Sequence, residues 1–553
     1  MRKIKRVIGY TLGIAMVLIA AIFLLNLHLT KRLERYLRKE LIHRTAEATD
    51  GFYRLSFDNL SISFFKGELT LEGIKLCPDS AVFRDWERKD SLPSVYVTAE
   101  VGMVDFKGLN LTWRRSYKQL HFDSFEIRNP DIQVFNPYYS TRAEVKERKE
   151  AEIKTLYEVV SPYINVLTVR MLNLENASVS YSVENPVSPI VYALNDVSFH
   201  AYGFRLDENS SESGKLLYCD NFDFITKRSQ TLLANNDFRL QTDRILLSTE
   251  DSIISISNIT LTPQGELWGE QKKRPDSYLN ALIRAIEVKG IQFRRENALN
   301  YLTARSLDII SSDIQAFNLA GESLPSAKKT EKKSLNEAEA DSLVRSLSLY
   351  ELISPVLHTV SIGTVGIGQA KLQYSFAVKD KIEVYKLANF DFQANDFRID
   401  SVSETQRGFW YSRGFSFEAT GIEGLMTARN HRFTVKRMTL DTESGDFNLE
   451  RIRLYPLSVC GQNDYMAGSI DTVGIRGLLY DKGISARLLK IDRPNLRYVL
   501  FSSFNKKDVK SVKPANSRVG VESILNPFLR YFSVKRLSLN HAYVTIDDKS
   551  MSD

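Results

Sequence analysis

The sequence predicts a mainly β protein: an N-terminal transmembrane helix followed by an elongated, repeated antiparallel β-sheet, with a few short helices. Three observations predict it. Residues 8–27, IGYTLGIAMVLIAAIFLLNL, carry no charge over 20 positions, and about 20 apolar residues let a helix cross the hydrocarbon core. Beyond them apolar residues alternate with polar ones, the two-residue period of a strand with one apolar face. The chain also repeats itself: LYEVVSPYINVLTV begins at Leu156 and LYELISPVLHTVSI at Leu349, an offset of 193 residues.

The first element lies between basic clusters, Arg2, Lys3, Lys5 and Arg6 before it and Lys31 to Lys39 after it. The apolar run is long for the core of a secretory signal, and it leads into bulky LHLTKRLERYLRKEL without a small-residue cleavage site. It therefore reads as an uncleaved anchor, with residues 1–30 as cytoplasmic tail and span. Basic residues are retained on the cytoplasmic side, so the expected orientation is N-terminus inside and the long remainder outside. Residues 31–52, with leucines at 33, 37 and 41, read as a juxtamembrane amphipathic helix whose basic face suits anionic headgroups.

The repeat organises the rest of the chain. The constant offset carries Pro162 onto Pro355, Ala177 onto Ala370, Tyr181 onto Tyr374, Phe199 onto Phe392, Asp207 onto Asp400 and Pro263 onto Pro456 without a gap. Self-similarity of that extent marks duplication. A second block recurs as FKGLNL (106–111), VKGIQF (288–293) and RGLLY (476–480), and IRNPDIQVF (127–135) recurs as DIQAF (313–317) and IDRPNLRYV (491–499). Residues 53–79 match the tail of a unit, 238–264, and a further head begins at 521. The expected domains are a partial first repeat (53–94), two full units (95–277 and 278–465) and a partial last repeat (466–553).

Within both copies the alternation of Val197, Phe199 and Ala201, and of Phe390, Phe392 and Ala394, slips by one to Phe204/Leu206 and Phe397/Ile399. A one-residue slip predicts a bulge that bends the sheet. Helices are expected ahead of the unit heads, over 144–160 and 336–353, each ending at a Ser-Pro where the residue before proline leaves the helical region. GESLPSAKKTEKK (321–333) reads as a loop. A sheet with one apolar face must bury it: by closing on itself, by packing a second sheet, or by curling around something apolar.

Charge and composition narrow the function classes. The net charge is +7, but ten Lys/Arg and two acids within residues 1–44 account for +8 and leave the rest at −1. A phosphate-tracking surface needs positive charge in the folded body, so no nucleic-acid partner is expected. Cys77, Cys219 and Cys460 are too few and too scattered for a disulfide framework or a zinc site. Histidines 28, 43, 121, 200, 358, 431 and 541 are dispersed. GTVGIG (363–368) places its glycines as GxxGxG, and the first copy holds Arg170, Asn173 and Glu175 there, so these glycines read as turn or packing residues rather than a phosphate loop. No nucleophile elbow, P-loop or paired-carboxylate motif appears. The copies share mainly Phe, Tyr, Leu and Pro, a scaffold rather than a reaction centre. The expectation is a non-enzymatic protein with no cofactor and no metal.

The stretch LSFDNLSISFFKGELTLEGIKL (55–76) resembles the opening of AsmA-like proteins, whose anchor is followed by paired strands around a phrase l-G-x-l-x-l-x-x-v-x-l. Here Lys66, Gly67, Glu68, Leu69, Thr70, Leu71, Glu72, Gly73, Ile74, Lys75 and Leu76 form that phrase. The repeated strand units extend the resemblance over most of the chain. Resemblance to AsmA-like and TamB-like envelope proteins implies a sheet curled into an open apolar groove. It implies a single-pass inner-membrane protein with a periplasmic body that binds or transfers phospholipid within the cell envelope. The expected partners are phospholipid acyl chains, the inner membrane through residues 8–27, and another envelope protein at an exposed sheet edge.

Lining residues would come from one alternating face: Val179, Tyr181, Val197 and Phe199 in the first unit, Leu372, Tyr374, Phe390 and Phe392 in the second. The other reading of the same residues is a closed sandwich core. The alternative function is a scaffold assisting outer-membrane or surface protein assembly through exposed strand edges. Bound lipid separates the two. The tripeptides at 79, 90, 251, 341, 400 and 471 (DSA, DSL, DSI, DSL, DSV, DTV) resemble acceptors of bacterial periplasmic O-glycosylation, in keeping with an exported body.

Overall fold

A computed structural model of the chain describes residues 30–63, 67–89, 92–93, 95–114, 117–136, 157, 160–161, 164–183, 190–210, 215–233, 238–263, 277–296, 299–318, 357–378, 381–406, 411–458, 464–480, 484–501 and 532–549. The expected span (8–27), loop (321–333) and helix (336–353), and most of the helix over 144–160, lie outside the described residues. Among the described residues no helix is long and apolar enough to cross a membrane. Strands make up 75% of them and helices 9%. The chain divides into two compact units, Met1–Leu267 and Trp268–Asp553.

The first unit opens with a helix, Thr30–Ala48, then β1 (Tyr53–Ser56), β2 (Asn59–Ser63), β3 (Glu68–Pro78) and a short helix, Ser80–Arg88. Next come β4 (Tyr96–Lys107), β5 (Asn110–Arg114), β6 (Tyr117–Asn136), β7 (Val166–Val183), β8 (Ile190–Leu206) and β9 (Asn221–Thr226). The unit ends with β10 (Arg228–Leu233), β11 (Phe238–Thr242), β12 (Arg244–Ser248) and β13 (Ile253–Pro263). The tail match is structural: Tyr53 faces Pro78 across β1 and β3 as Phe238 faces Pro263 across β11 and β13.

The second unit runs β14 (Ser277–Lys289), β15 (Gln292–Glu296), β16 (Leu299–Asn318), β17 (Thr359–Val378), β18 (Lys381–Ile399), β19 (Gly414–Met426), β20 (His431–Asp441), β21 (Asp446–Pro456) and β22 (Tyr465–Arg476). It closes with β23 (Leu479–Tyr480), β24 (Ile484–Ala486), β25 (Leu488–Asp492), β26 (Asn495–Leu500), β27 (Phe532–Val534), β28 (Leu537–Asn540) and β29 (Tyr543–Asp548).

The sheet is mixed, which corrects the expectation of an antiparallel one. β6 and β7 run parallel, as do β16 and β17, β25 and β28, and β26 and β29, while most other pairings are antiparallel. Each parallel pair is joined by a long connection, residues 137–165 in the first case, and a parallel step needs a crossover of about a dozen residues or more.

The duplication is written into the backbone. Left-handed residues recur at equivalent places: Gly73, Asn258 and Arg451; Gly108, Gly290 and Gly477; Asn129, Ser311 and Arg493; Asn176, Gln369 and His541. The predicted slips coincide with Gly203 (φ +65) and Asp396 (φ +53). One extra left-handed residue resets the alternation and bends the strand, so apolar side chains on both sides of it stay on one face. Neighbouring bulges align, for Asn176 Nδ2 donates to Asn129 Oδ1 across β6 and β7 at 3.3 Å.

The largest core lies in the first unit. Leu37 and Leu41 of the first helix are buried with Leu55, Phe57 and Leu60. The Arg38 guanidinium donates to the carbonyls of Phe57 and Asp58, both at 2.9 Å, and sits 4.6 Å from the Phe57 ring. Of the expected amphipathic helix over 31–52, residues up to Ala48 are helical and 49–52 form a turn, and Leu37 and Leu41 pack on the sheet. Of the helix expected over 144–160 only Tyr157 and Val160 are among the described residues. Ser161 N–H donates to the Tyr157 carbonyl at 2.7 Å, and Val160 and Ile164 enter the same core. Asp79 accepts from the Ala81 and Val82 N–H groups and caps the short helix, which gives that Asp-Ser pair a local structural role.

Candidate apolar binding surface

Cross-strand partners share a face, so the register traces the apolar surface. In the first unit one row runs Phe106, Phe125, Leu172, Ala201, Phe222. Beside it runs Val104, Ile127, Leu174, Phe199, Phe224, Leu247. The equivalent rows of the second unit are Val288, Leu307, Val365, Ala394, Phe415 and Ile286, Ile309, Ile367, Phe392, Phe417. The second of these continues through Leu440, Phe447, Ile475, Leu489 and Leu537. That row crosses ten strands without a polar residue. At about 4.8 Å per strand it is roughly 43 Å long.

All eight residues singled out from sequence lie on this apolar face of their own units. Ala177 faces Val197, Leu174 faces Phe199, Val179 faces Leu194 and Tyr181 faces Tyr192. Likewise Ala370 faces Phe390, Ile367 faces Phe392, Leu372 faces Leu387 and Tyr374 faces Tyr385. Val197 is 3% exposed and Tyr374 44%; the other six are half-buried. Ring contacts extend from them to residues that the sequence did not single out. Phe199 meets Phe222 at 5.5 Å, Phe390 meets Phe417 at 5.9 Å and Phe392 meets Phe415 at 5.8 Å. The signal was the alternation of NFDFIT (221–226) and GFSFEA (414–419).

The opposite face is polar. In the second unit it holds a cavity of about 870 Å³ whose walls include Lys289, Asp308, Asp391, Glu418, Asp441 and Asp446. Gly366 and Gly368 help to open it, with the nearest atom to a Cβ at Gly368 3.9 Å away on Asp391. In the first unit the same places hold Asn173 and Glu175: Ser198 Oγ donates to Glu175 at 3.2 Å, and His200 Nδ1 lies 3.2 Å from Asn173 Oδ1. The glycines of GTVGIG are therefore strand residues without side chains. Ile309, Ile367, Phe392, Phe417 and Leu440 of the apolar row are also among the residues lining this cavity, so the two features adjoin.

Chemical reactivity is muted across the described residues. Burial pushes the Cys219 thiol up to about 11, so it stays protonated at neutral pH. Among the described residues no group of three or more His, Cys, Asp or Glu is placed to hold a metal ion. What the arrangement offers is extended hydrocarbon surface, half-buried along the row from Val104 to Leu247 in the first unit and along the row from Ile286 to Leu489 in the second. No protein-family model matches the chain, and a search of curated proteins finds no match.

Proposed function

We propose that the chain is a membrane-anchored, non-enzymatic envelope protein that binds or transfers phospholipid, its strands curled so that the apolar rows line a hydrophobic groove. The observation that carries the reading is the unbroken row from Ile286 to Leu537. Its roughly 43 Å exceeds the ~15 Å depth of one leaflet's acyl region. Each buried methylene contributes about 0.8 kcal/mol, and with no polar group in the row no single contact pins a chain in place. Residues 8–27 supply the inner-membrane anchor, N-terminus cytoplasmic and body periplasmic. The likeness of residues 55–76 to AsmA-like openings supports the same reading.

The test is a photocrosslinking amino acid placed in the full chain, in cells, at Phe392 and in parallel at Gln393, its neighbour on the polar face. The expected result is a phospholipid adduct at 392 and none at 393. Equal labelling at both, or none at 392, would sink the proposal.

A second reading, a scaffold for outer-membrane or surface protein assembly, has its own observation. On β28 and β29, Leu537, Leu539, Val544 and Ile546 are 56–65% exposed, and among the described residues no strand flanks their outer edge. An extended segment of an envelope protein would pair there. Crosslinks from Val544 to protein rather than to lipid would favour this reading.

A further inference from the structure

We infer that the two units have diverged in use: the first fills the part of its apolar face around Phe106, Phe122 and Phe125 with its own rings, and acyl chains are held at the equivalent part of the second. The inference rests on the lipid-binding reading above and concerns where on the chain that lipid sits.

Three rings set the contrast. Phe106, Phe122 and Phe125 are 4%, 3% and 6% exposed. Phe106 stacks on Phe125 at 4.5 Å and lies 5.2 Å from Phe122. Strand register identifies their counterparts without ambiguity. Phe106 pairs with Phe125 as Val288 pairs with Leu307, and Phe122 pairs with Val169 as Ala304 pairs with Ile362. The second unit thus replaces three phenylalanines by Val288, Ala304 and Leu307, at the same places on the same face.

The neighbours respond. Phe222 and Phe204 are 8% and 5% exposed, whereas Phe415 and Phe397, which match them at the 193-residue offset, are half-buried. The first unit also receives Leu37 and Leu41 from the helix Thr30–Ala48, which precedes the repeats and has one copy.

Ala304 is buried, with Val288 and Leu307 packed half-buried against it. The smaller side chains thus close up locally but leave Phe392, Phe397 and Phe415 half-buried on the same face, and apolar surface left uncovered forfeits dispersion contacts. An acyl chain restores them. A peptide in the same place would bring N–H and C=O groups that a wall of Val, Leu, Ile and Phe side chains cannot satisfy. The occupant is therefore hydrocarbon, one or more acyl chains lying across β14 and β16 to β19.

The experiment uses the full chain in vesicles of phosphatidylethanolamine and phosphatidylglycerol doped with a phospholipid carrying a diazirine on its acyl chain. After irradiation, labelled peptides are mapped by mass spectrometry. Adducts concentrated on peptides holding Leu307, Val365, Phe392 and Phe415 are expected. Equal yields on peptides holding Phe125, Leu172 and Phe199 would overturn the division while leaving lipid binding intact. No adduct on either unit would sink both readings.

A refilled variant, Val288→Phe with Ala304→Phe and Leu307→Phe, adds a second readout. Labelling of the second unit should fall roughly tenfold, the effect of losing about two methylene contacts, with the thermal transition held or raised. Unchanged labelling in the folded variant would overturn the inference. Should the triple variant fail to fold, Phe392→Asp replaces it, with the same loss expected and the same unchanged labelling as the contrary result.

Discussion

Asp400 shows how a single residue records the duplication. Burial alone would raise its carboxyl pKa, but the Ser403 N–H, the Arg398 guanidinium and the Ser403 hydroxyl outweigh burial and hold it at about 2. Asp207, 193 residues earlier, is held low in the same surroundings by Arg205 and Ser210. In each copy the Asp N–H donates to the serine three residues on, at 2.7 Å. A depressed carboxylate stabilises the fold at pH above its unfolded value, about 4, and that contribution is lost as pH falls toward 2. Asp400→Asn should therefore cost about 1–2 kcal/mol at pH 6 and little at pH 2, read from urea midpoints. Equal losses at both pH values would mean the charge is not the source. Cysteine reactivity is a second residue-scale prediction. Cys77 is exposed and Cys219 buried, so at pH 8 a maleimide should label Cys77 at once and Cys219 only after denaturation. Rapid labelling of Cys219 in the folded protein would contradict its placement.

At the scale of elements, the left-handed bulges decide whether long strands can keep one apolar face. Gln369 has φ +55 within β17, between Ile367 and Ala370. Gln369 already holds a Cβ against the carbonyl, a cost of about 1–2 kcal/mol, and a β-branched residue adds crowding to it, so Gln369→Val should lower stability further. Gln369→Gly should be neutral or stabilising, and guanidinium denaturation of the pair measures the difference. If both behave alike, the left-handed conformation is not limiting. These bends were partly legible. Ala201 to Phe204 and Ala394 to Phe397 break the alternation visibly, and Leu174 to Ala177 breaks it equally. Strand direction was not legible. Side chains alternate with the same period in parallel and antiparallel ladders, so nothing in the residues of β6 and β7 betrays their parallel pairing. The eight face residues could be read because period two reports a face. The stacking of Phe106, Phe122 and Phe125 could not, since it depends on which strands meet. The leucines at 37 and 41 announced an apolar helix face without saying whether a sheet or a membrane would cover it.

For the whole molecule, unequal cores in two compact units predict two unfolding events. Buried core side chains cluster around Leu120, Phe122, Phe125, Leu167 and Leu206 in the first unit, and in a smaller group around Ala304, Val360, Ile362 and Ile399 in the second. Apolar burial sets much of a unit's stability, so hydrogen exchange should be slowest in β6 to β8 and faster in β16 to β18. Leu41, 3% exposed, offers the sharper test. Leu41→Asp places an unpaired carboxylate in the first core and opens a void, a loss of about 3 kcal/mol or more. Its effect should stay within the first unit. Exchange in β6 to β8 should accelerate while that in β16 to β18 is unchanged, and acyl-chain labelling of the second unit should persist. A truncation beginning near residue 50 would remove Leu37 and Leu41 and should weaken the first unit in the same way, so preparations made for lipid analysis need the helix retained. If Leu41→Asp instead accelerates exchange equally in both units, they unfold as one cooperative body, and the open surface of the second depends on the filled core of the first.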